Sequence, residues 1–309
     1  MSLINPRPQL ISRPMKAPND DRSIQSQYFR LPTMLSPKID GFRCVHESGV
    51  GAVTSSMKPQ PNPFVRELVS SLPPGLDGEI VDTDFRQTMS TLKRTWGKPD
   101  FKFCIFDYVS TSLRQPAWER YQELLQLDLP NWCMVLPQIL VTKEEDAQSF
   151  IDLWTLDGYN GIPLDGVMRR DPNSPYKCNR STLKEAYLLK DKPYEDAEAI
   201  VLGVYEQEEN TNEAYTNHMG GTSRSSHASG KLGKRVLGGI ICKVINGRYT
   251  GLEINLGSGQ GWTDDWRARA YQNPTLIIGK TITFKYLDKG DYNLPRNASM
   301  KCVREPWDI

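Results

Sequence analysis

The sequence predicts an α+β domain followed by a small all-β domain, and three observations support this prediction. Up to about residue 200, strand-like and helical segments alternate, and the strands follow one another as hairpins and not as regular βαβ units. Beyond that point the apolar runs are short and are separated by glycine-rich turns. The 309 residues are enough for two domains, each with a buried core. We therefore expect one domain over residues 1–200 and a second over residues 201–309.

Apolar spacing and boundary residues predict the elements of the first domain. Residues 34–54 alternate like strands, and KIDGFRCVHESGVGAV within them indicates a hairpin that turns in the Glu47-Ser48-Gly49 region. Residues 62–72 favour a helix, with an asparagine cap, an early proline and a terminating PPG sequence. Further helices are expected over 115–129 and 143–157, the second ended by a glycine. Strands are expected at LDGEIVDTDF, FKFCIFDYV, DGVMRRDP, AYLLKDK and EAIVLGVY.

The second domain is predicted from five short apolar runs. They are AIVLGVYE, GGIICKVI, YTGLEINLG, KTITFKYL and MKCVRE. Five strands in about 110 residues are typical of a small β-barrel of the oligonucleotide-binding (OB) type. A polar, glycine- and serine-rich insertion at about 206–233 separates the first two runs. We expect this insertion to be mobile until a ligand orders it.

Composition excludes some classes of protein. A hydrophobic content of 38% and a charged content of 24% are ordinary for a soluble globular chain, and no apolar run approaches the ~20 residues of a membrane helix. The first residues alternate prolines and charges and lack the apolar core of a secretory signal, so we expect an intracellular, cytoplasmic protein without a membrane partner. The six cysteines contain no CxxC pair and there are only three histidines, which favours reduced thiols over a zinc site.

The distribution of charge is informative in one segment. With 38 Lys+Arg against 37 Asp+Glu, the overall balance gives no argument about nucleic acid. From Ala214 to Leu252, however, there is no acidic residue. The six cations of this segment are Arg224, Lys231, Lys234, Arg235, Lys243 and Arg248. Such a segment would attract a polyanion, and a solvated basic loop is the alternative.

The stretch PKIDGFRCV, residues 37–45, contains a candidate nucleophile. Lys38 stands two residues before Asp40, and Arg43 follows three residues later. A lysine amine attacks an electrophile only in its neutral form, which nearby cations or metal ions favour. The alternative is a surface lysine in a hairpin.

Further motifs follow in a defined order. Glu79 lies in LDGEIV, and Phe106 and Asp107 lie in FCIFDYV. The later ones are LDGVMRRDP with Asp165 and Arg170, and LLKDKPYEDAEA with Lys190 and Lys192. This series resembles the signature elements of the covalent nucleotidyltransferases, which include ATP-dependent DNA ligases, RNA ligases and mRNA capping enzymes.

From about Leu31 onward the chain is most similar to the minimal, chlorovirus-type ATP-dependent DNA ligases. The shared sequences are SPKIDGFR, LPPGLDGEI, NRSTLKEAYLLKDK and DAEA. The insertion resembles the DNA-binding latch of these enzymes, and LPRNASMKCVREPWD resembles their last motif through Arg296, Arg304 and Asp308. The resemblance implies a nucleotidyltransferase domain of antiparallel sheets with flanking helices, followed by an OB-fold β-barrel with an inserted latch hairpin.

The resemblance also implies a reaction with ATP. Lys38 would take AMP from ATP and release pyrophosphate, with Asp40 and Asp308 among the catalytic residues and with Arg296 and Arg304 orienting the pyrophosphate. Lys190 and Lys192 would contact the α-phosphate. Glu79 and Asp165 would serve the ribose hydroxyls and Mg²⁺, for which Mn²⁺ is an alternative. Phe106 would stack on adenine, and Arg43 would bind the ribose and later the nick phosphate.

The implied partner is nicked double-stranded DNA. AMP would pass to the 5′-phosphate, and the 3′-hydroxyl would then displace it. The residues implied in DNA contact are Phe85, Lys177, Arg180, Arg224, Lys231 and Lys234. We expect a monomer that encircles its substrate, and no motif for a protein partner is visible.

Three positions depart from the family pattern. Ser55 stands where an arginine usually binds the nick phosphate, and we expect weaker nick binding or compensation by Arg66 or Arg86. Asp165 stands where a glutamate is usual. Phenylalanines common in the last motif are absent around Asn297. Two alternatives remain open: an RNA ligase or capping-type enzyme, and a nick-binding protein with a decayed active site.

Overall fold

The structure is a computed structural model that describes residues 10–19, 22–82, 85–162, 164–192, 194–217, 221–287 and 294–304. Within this part of the chain there are two compact units, which separate after Lys192. We refer to residues 10–192 as the N-terminal unit and to residues 194–304 as the C-terminal unit. No helix in the described ranges is long and apolar enough to cross a membrane.

The N-terminal unit consists of two antiparallel sheets with flanking helices. Its strands are β1 (Thr33–Ile39), β2 (Phe42–Glu47), β3 (Gly51–Thr54), β4 (Leu76–Val81), β5 (Lys102–Tyr108), β6 (Cys133–Val135), β7 (Ile139–Val141), β8 (Leu164–Arg170) and β9 (Leu188–Asp191). Its α-helices are α1 (Arg22–Gln25), α2 (Pro63–Ser70), α3 (Phe85–Leu92), α4 (Ala117–Leu124) and α5 (Glu144–Asp157), and a 3-10 turn spans Ser26–Tyr28.

The two sheets pack against each other. One has the order β7-β1-β8-β9 and the other the order β3-β2-β4-β5-β6, in which only β5 and β6 are parallel. The core between them contains Leu35 of β1, Val81 of β4 and Cys104 of β5, together with Trp154 of α5. A second core covers the outer face of the five-stranded sheet, where residues of α2, α3 and α4 contact Phe103. This arrangement confirms the fold predicted for the first domain.

The predicted hairpin KIDGFRCVHESGVGAV is confirmed around its turn and is wrong only in its first residues, which belong to β1. β1 belongs to the four-stranded sheet, whereas β2 and β3 form a hairpin in the other sheet with Glu47 opposite Gly51. The chain therefore crosses between the sheets within the KIDGFR stretch. The crossing requires glycine at Gly41, because a Cβ atom there would lie 2.5 Å from the carbonyl oxygen of Ile80.

Helix boundaries follow the sequence signals at two sites and contradict them at a third. The Asn62 side chain accepts a hydrogen bond from the Val65 amide, and Pro63 is the first residue of α2. Gly158, with φ of 70°, ends α5. The strand predicted to reach Phe85 instead ends at Val81, and α3 begins at Phe85. The sequence pattern after Val81 did not indicate that the strand ends there and that a helix begins at Phe85.

The C-terminal unit is built on one five-stranded sheet with the order β14-β13-β10-β15-β16. Its strands are β10 (Tyr194–Asn210), β11 (Ala214–Thr216), β12 (Thr222–Arg224), β13 (Lys231–Val244), β14 (Glu253–Leu256), β15 (Thr281–Leu287) and β16 (Arg296–Val303). Its helices are α6 (Asp264–Gln272) and 3-10 turns at Ala228–Gly230 and Pro274–Leu276. The ends of the sheet meet where Met300 of β16 exchanges backbone hydrogen bonds with Ser258 and Gln260.

The five predicted strands of this unit are confirmed, but helix α6 was not predicted. Its sequence DDWRARAYQ is mostly polar, with little apolar periodicity to indicate a helix. The helix begins where the Thr263 side chain accepts a hydrogen bond from the Trp266 amide. Ala270 is its buried residue and belongs to the core of the unit.

The polar insertion contains regular strands. β10 and β13 remain paired as far as Asn210 opposite Lys231, and β11 pairs with β12 nearer the tip. The composition of the insertion does not indicate these strands, because both faces are polar and no alternation is visible. The hairpin form implied by the resemblance to a latch matches this arrangement.

Candidate active site

A cavity of about 240 Å³ lies in the N-terminal unit. Six of the residues predicted for the site line it, and they come from both sheets and from the loop before β9. These six are Lys38, Arg43, Glu79, Phe106, Arg180 and Lys190. The other lining residues are Met15, Lys16, Ala17, Ser36, Pro37, Ile39, Met168, Arg170 and Leu188. The KIDGFR crossing explains this convergence, since it places Lys38 on one sheet and Arg43 on the other.

Asp165 binds two lysines through a single oxygen. The Nζ atoms of Lys38 and Lys192 each lie 2.6 Å from Asp165 Oδ2. Burial would raise the pKa of this carboxyl, but the two ammonium groups outweigh burial and hold the pKa below its ordinary value. The aspartate that replaces the usual glutamate is therefore long enough to contact both lysines.

The close approach of β8 and β9 places Asp165 beside Lys192. Gly166 has a φ of +109°, and a Cβ atom there would lie 2.3 Å from the carbonyl oxygen of Asp191. Only glycine tolerates both the backbone conformation and this contact. The glycine of the LDG sequence is therefore required by the local structure, in addition to the catalytic role that the resemblance implies for Asp165.

Arg43 is held in place by Asp77. Its Nε and Nη2 atoms donate to the two carboxylate oxygens at 2.6 Å each, and Nη2 also donates to the Met15 carbonyl at 3.1 Å. The Tyr176 hydroxyl donates to Asp77 as well, at 2.6 Å. The guanidinium lies over the ring of Phe106, with 4.6 Å between its carbon and the ring centroid. The predicted ribose-binding arginine is thus fixed beside the predicted adenine-stacking ring.

Glu79 is a carboxyl group that titrates near neutrality. Burial raises its pKa to about 7, and the neighbouring cations Arg43 and Lys38 only partly oppose this effect. Asp77 and Asp40 add to the increase. Among the predicted site residues, Asp40 lies at the crossing between β1 and β2, outside the lining of the cavity.

The surroundings of Lys190 lower the pKa of its side chain. Burial, followed by the positive charges of Lys192, Lys38 and Arg180, lowers its pKa to about 8, and Asp165 opposes this effect. Its amide donates to Gln25 Oε1 at 2.9 Å, which ties β9 to α1. Three neighbouring cations thus act on Lys190, and this concentration of positive charge is suited to an anionic ligand.

Asp107, in contrast, is part of a buried ion-pair network. It pairs with Arg120 and with Arg170, and its pKa falls to about 2 because these arginines outweigh the effect of burial. All three side chains are less than 10% exposed. This network joins β5 of one sheet to β8 of the other beneath the cavity.

The residues predicted to bind DNA from the N-terminal unit are found in different environments. Lys177 is paired with Glu185 at 2.7 Å. Arg180 lines the cavity and donates to the Ala17 carbonyl. Phe85 is the first residue of α3, but its side chain lies outside the described part of the structure.

Of the two residues proposed to compensate for the missing arginine at position 55, only Arg66 has a described side chain, and it does not line the cavity. Arg66 donates to the Gln60 carbonyl at 3.3 Å and is not part of the cavity lining. The side chain of Arg86 lies outside the described residues. Lys16, which the sequence motifs did not indicate, lines the cavity instead, and its Nζ lies 3.4 Å from the Ser55 carbonyl oxygen.

The predicted residues of the C-terminal unit that the structure describes lie at separate places. Arg304 donates to Glu198 at 2.8 Å, and Arg296 is the first residue of β16. Lys234 is exposed on β13, and Lys231 lies 3.6 Å from Glu208. Arg224 donates to the Asn212 carbonyl. Asp308 lies outside the described residues.

The basic segment of the latch insertion faces acidic residues. The register of β10 and β13 places Glu208 opposite Gly233 and Glu209 opposite Leu232, and Glu206 accepts a hydrogen bond from the Arg235 amide. Residues 214–252 contain no acidic residue, but β13 lies beside acidic residues of β10 in the folded hairpin. Across the strands, Lys231 pairs with Glu208 at 3.6 Å, so part of the positive charge of this hairpin is neutralised.

One family model and several solved structures match this chain. The family model for the DNA ligase OB-like domain matches residues 229–304. No curated protein matches the chain in sequence.

Two groups of solved structures match it over nearly its whole length. The adenylate form of Chlorella virus DNA ligase is 25% identical, with a TM-score of 0.52, and the match covers 95% of this chain and 100% of the viral one. A Lig E DNA ligase, which binds DNA with a minimal scaffold, is 21% identical, with a TM-score of 0.65. That match covers 96% of this chain and 100% of the Lig E chain, and it supports the fold alone. The chain therefore has the fold of a minimal ATP-dependent DNA ligase, as its sequence resemblance predicted.

Proposed function

We propose that this protein seals nicks in duplex DNA, using ATP and passing through a lysyl-adenylate at Lys38 and then a DNA-adenylate. One observation supports the proposal most strongly. The Lys38 amine lies at a cavity that also presents the Phe106 ring and several cations, and it shares the Asp165 carboxylate with Lys192. An aromatic face, a candidate nucleophile and convergent positive charge are the groups that nucleotide adenylation requires.

In the first step the Lys38 nitrogen would form a bond to the α-phosphorus of ATP. The bond from that phosphorus to the bridging oxygen would break, pyrophosphate would leave, and the amine would lose its proton. Lys190 lines the cavity and would contact the α-phosphate together with Lys192. Because phosphoryl transfer depends mainly on positioning and charge stabilisation, these cations would supply much of the rate enhancement.

Asp165 would position the nucleophile. One of its two oxygens, Oδ2, binds both Lys38 and Lys192 in the structure. This carboxylate would therefore set the spacing between the attacking amine and a phosphate-binding cation. Phe106 would stack on adenine while Arg43 supports its ring from one face. Glu79 would accept a hydrogen bond from a ribose hydroxyl in its ionised form.

The residues present fit a magnesium ion held mostly by water and phosphate oxygens. Asp165 offers a buried carboxylate oxygen, and Glu79 is the second proposed ligand. Within the described residues there is no cluster of three or more metal-ligating side chains, so an all-protein cage is not available there. Magnesium commonly binds through one or two carboxylates and substrate phosphates. When bound, it would neutralise phosphate charge at the reacting centre.

The later steps would take place on DNA. Arg180 and Lys177 would contact the 5′-phosphate, and Phe85 would pack on a sugar beside the nick. In the first step, Arg296 and Arg304 would orient the leaving pyrophosphate, which would require Arg304 to leave Glu198, and Asp308 would be a further catalytic residue. We propose that a single copy of the chain performs all three steps.

The latch insertion would bind the duplex backbone through Arg224, Lys231 and Lys234. A deletion of residues 210–233 tests this role, because the salt dependence of DNA affinity reports the number of phosphates neutralised. We expect the deletion to weaken nick binding and to flatten the slope of log affinity against log salt. Unchanged affinity and slope would contradict a DNA-binding role for the insertion.

A nick-sealing assay with ATP and magnesium tests the proposal as a whole. A duplex with a 5′-phosphate at the nick should be sealed, whereas the same duplex with a 5′-hydroxyl should not, since it offers no acceptor for AMP. Labelling with α-labelled ATP and with α-labelled GTP separates a ligase from a capping-type enzyme, and parallel RNA nicks separate it from an RNA ligase. Label from GTP alone, or binding of nicks without any sealing, would refute the proposal.

A further inference from the structure

Lys16 occupies a well-defined place at the edge of the cavity. Its backbone forms a parallel bridge with the segment around Arg180, in which the Lys16 amide donates to Asn179 at 3.0 Å and the Ser181 amide donates to Lys16 at 2.7 Å. Lys16 therefore belongs to a segment that is fixed by backbone pairing. Its side chain is half-buried.

Two guanidinium groups bind the residues on either side of Lys16. Arg43 donates to the Met15 carbonyl at 3.1 Å, and Arg180 donates to the Ala17 carbonyl. The Lys16 ammonium donates to the Ser55 carbonyl at 3.4 Å, and all three cations line the same cavity. The folded chain thus brings together three positive groups that are far apart in the sequence.

These cations have few anionic partners. Arg43 is paired with Asp77, but in the described part of the chain neither Lys16 nor Arg180 forms an ion pair. The pKa of Lys16 is lowered by burial and then by the charges of Arg43, Arg180 and Arg13. Convergent cations at the edge of an open cavity, of which Lys16 and Arg180 form no ion pair among the described residues, are suited to bind a phosphate group.

We infer that Lys16 binds the 5′-phosphate at the nick together with Arg180, and that it supplies the positive charge absent at Ser55. This inference rests on the proposed ligase function. It extends that function because the neutral Ser55 side chain cannot bind a phosphate as an arginine does, and the neighbouring residue that can is Lys16. The Lys16 ammonium lies 3.4 Å from the Ser55 carbonyl oxygen, so a positive charge is present next to position 55.

DNA is favoured over ATP as the source of this phosphate. The cations proposed for the α-phosphate are Lys190 and Lys192, which lie on or next to β9 and act electrostatically on one another and on Lys38. Lys16 instead interacts with Arg43 and Arg180, both of which are expected at the nick phosphate. The two groups of cations meet at Arg180, which also acts on Lys190.

The experiment separates the two sources by separating the steps. Wild type, Lys16→Ala and Lys16→Arg are first assayed for lysyl-adenylate formation from ATP and magnesium without DNA. The isolated lysyl-adenylates are then mixed with increasing amounts of 5′-phosphorylated nicked duplex in the absence of ATP, and transfer of AMP is followed in a single turnover. Lys143→Ala, at an exposed position before α5, is the matched control.

We expect Lys16→Ala to raise the DNA concentration for half-maximal transfer about tenfold or more, and to reduce lysyl-adenylate formation much less. Lys16→Arg should stay near wild type because it keeps the charge. Addition of Ser55→Arg to the Lys16→Ala variant should restore most of the lost affinity. A duplex with a 5′-hydroxyl at the nick, used as a competitor, should inhibit wild type and Lys16→Ala equally.

Three outcomes would overturn the inference. They are wild-type behaviour of Lys16→Ala, an equal or larger loss in the reaction with ATP alone, and an equal loss with the 5′-hydroxyl competitor. If the alanine variant has a lower melting temperature, Lys16→Gln, which retains much of the stem, is measured in its place. Failure of the wild-type protein to form an adenylate or to seal DNA would instead refute the proposed function, and is therefore a distinct result.

Discussion

Asp107 and Asp165 each bind two cations, but the partners differ in kind. Asp107 pairs with Arg120 at 2.8 Å and with Arg170 at 2.5 Å, and these side chains are almost completely buried. Asp165 pairs with Lys38 and Lys192 at 2.6 Å each, and those lysine side chains are 23% and 14% exposed. One strand, β8, provides both Asp165 and Arg170 and so connects the two sites.

This difference shows that one aspartate stabilises the fold and the other lies among the residues proposed to react. A guanidinium stays protonated at all accessible pH values and binds a carboxylate in a planar, multidentate geometry. The Asp107 network is therefore permanent, and it joins the two sheets that line the cavity. An ammonium is a point charge on a flexible stem that can lose its proton and exchange partners. The Asp165 site is therefore the one that can release a nucleophile.

The largest expected effect is the loss of Lys38. In Lys38→Ala and in Lys38→Arg, lysyl-adenylate formation should fall on the order of 10⁴-fold or more, because neither side chain offers a neutral amine. Intact-mass spectrometry after incubation with ATP and magnesium measures the adduct. Melting temperatures close to wild type would show that the loss is chemical. An adduct of normal yield in the alanine variant would place the nucleophile elsewhere.

The second effect is on stability and distinguishes the two aspartates. Asp107→Asn leaves two buried guanidiniums without an anion and should lower the free energy of unfolding by about 3–5 kcal/mol. Asp152→Asn, the same substitution at an exposed position of α5, should change it by less than about 0.5 kcal/mol. Urea unfolding followed by fluorescence measures both. A cost for Asp107→Asn as small as that of the control would mean that the network does not hold the sheets together.

The third effect concerns Asp165 and the step with ATP. Asp165→Asn removes the charge that fixes two lysines and should slow adenylation about 100-fold, by analogy with the loss of other positioned electrostatic groups. Its cost in stability should be smaller than that of Asp107→Asn, because both lysines are partly exposed and can reach water. Asp165→Glu restores the usual family residue and should remain within about tenfold of wild type. Adenylation by the asparagine variant at the wild-type rate would exclude Asp165 from the step.

Local signals in the sequence predicted much of this molecule. Asn62 and Gly158 marked helix boundaries correctly because capping depends on neighbours in sequence. The five strands of the C-terminal unit were visible as apolar runs. The motif residues Lys38, Arg43, Glu79, Phe106 and Lys190 were recognised together, and the structure brings them to one cavity.

What the sequence did not reveal depends on contacts between distant residues. Arg180 and Ala17 are 163 positions apart, and their hydrogen bond helps to place Lys16 at the cavity. The pairing of Glu208 with the basic strand β13 likewise depends on strand register, so residues 214–252 seemed more basic than the folded hairpin is. Helix α6 was missed because its burial rests on Ala270 and not on a continuous apolar face.

The smallest expected effect is a dependence of the adenylation rate on pH, which should arise from Glu79 and Lys190 and not from the buried arginines of the Asp107 network. Below the Glu79 pKa of about 7 this carboxyl is neutral, and above the Lys190 pKa of about 8 this amine is neutral. If ATP requires the Glu79 carboxylate and the Lys190 ammonium, kcat/KM for adenylation should fall up to about tenfold per pH unit on the acidic side of the first value and on the alkaline side of the second. Because an arginine stays protonated, Lys190→Arg should lose the alkaline decline relative to wild type and keep the acidic one. An alkaline decline of the same size in Lys190→Arg would show that another group causes it, and the contrast between exchangeable lysines and permanent arginines would then not extend to Lys190.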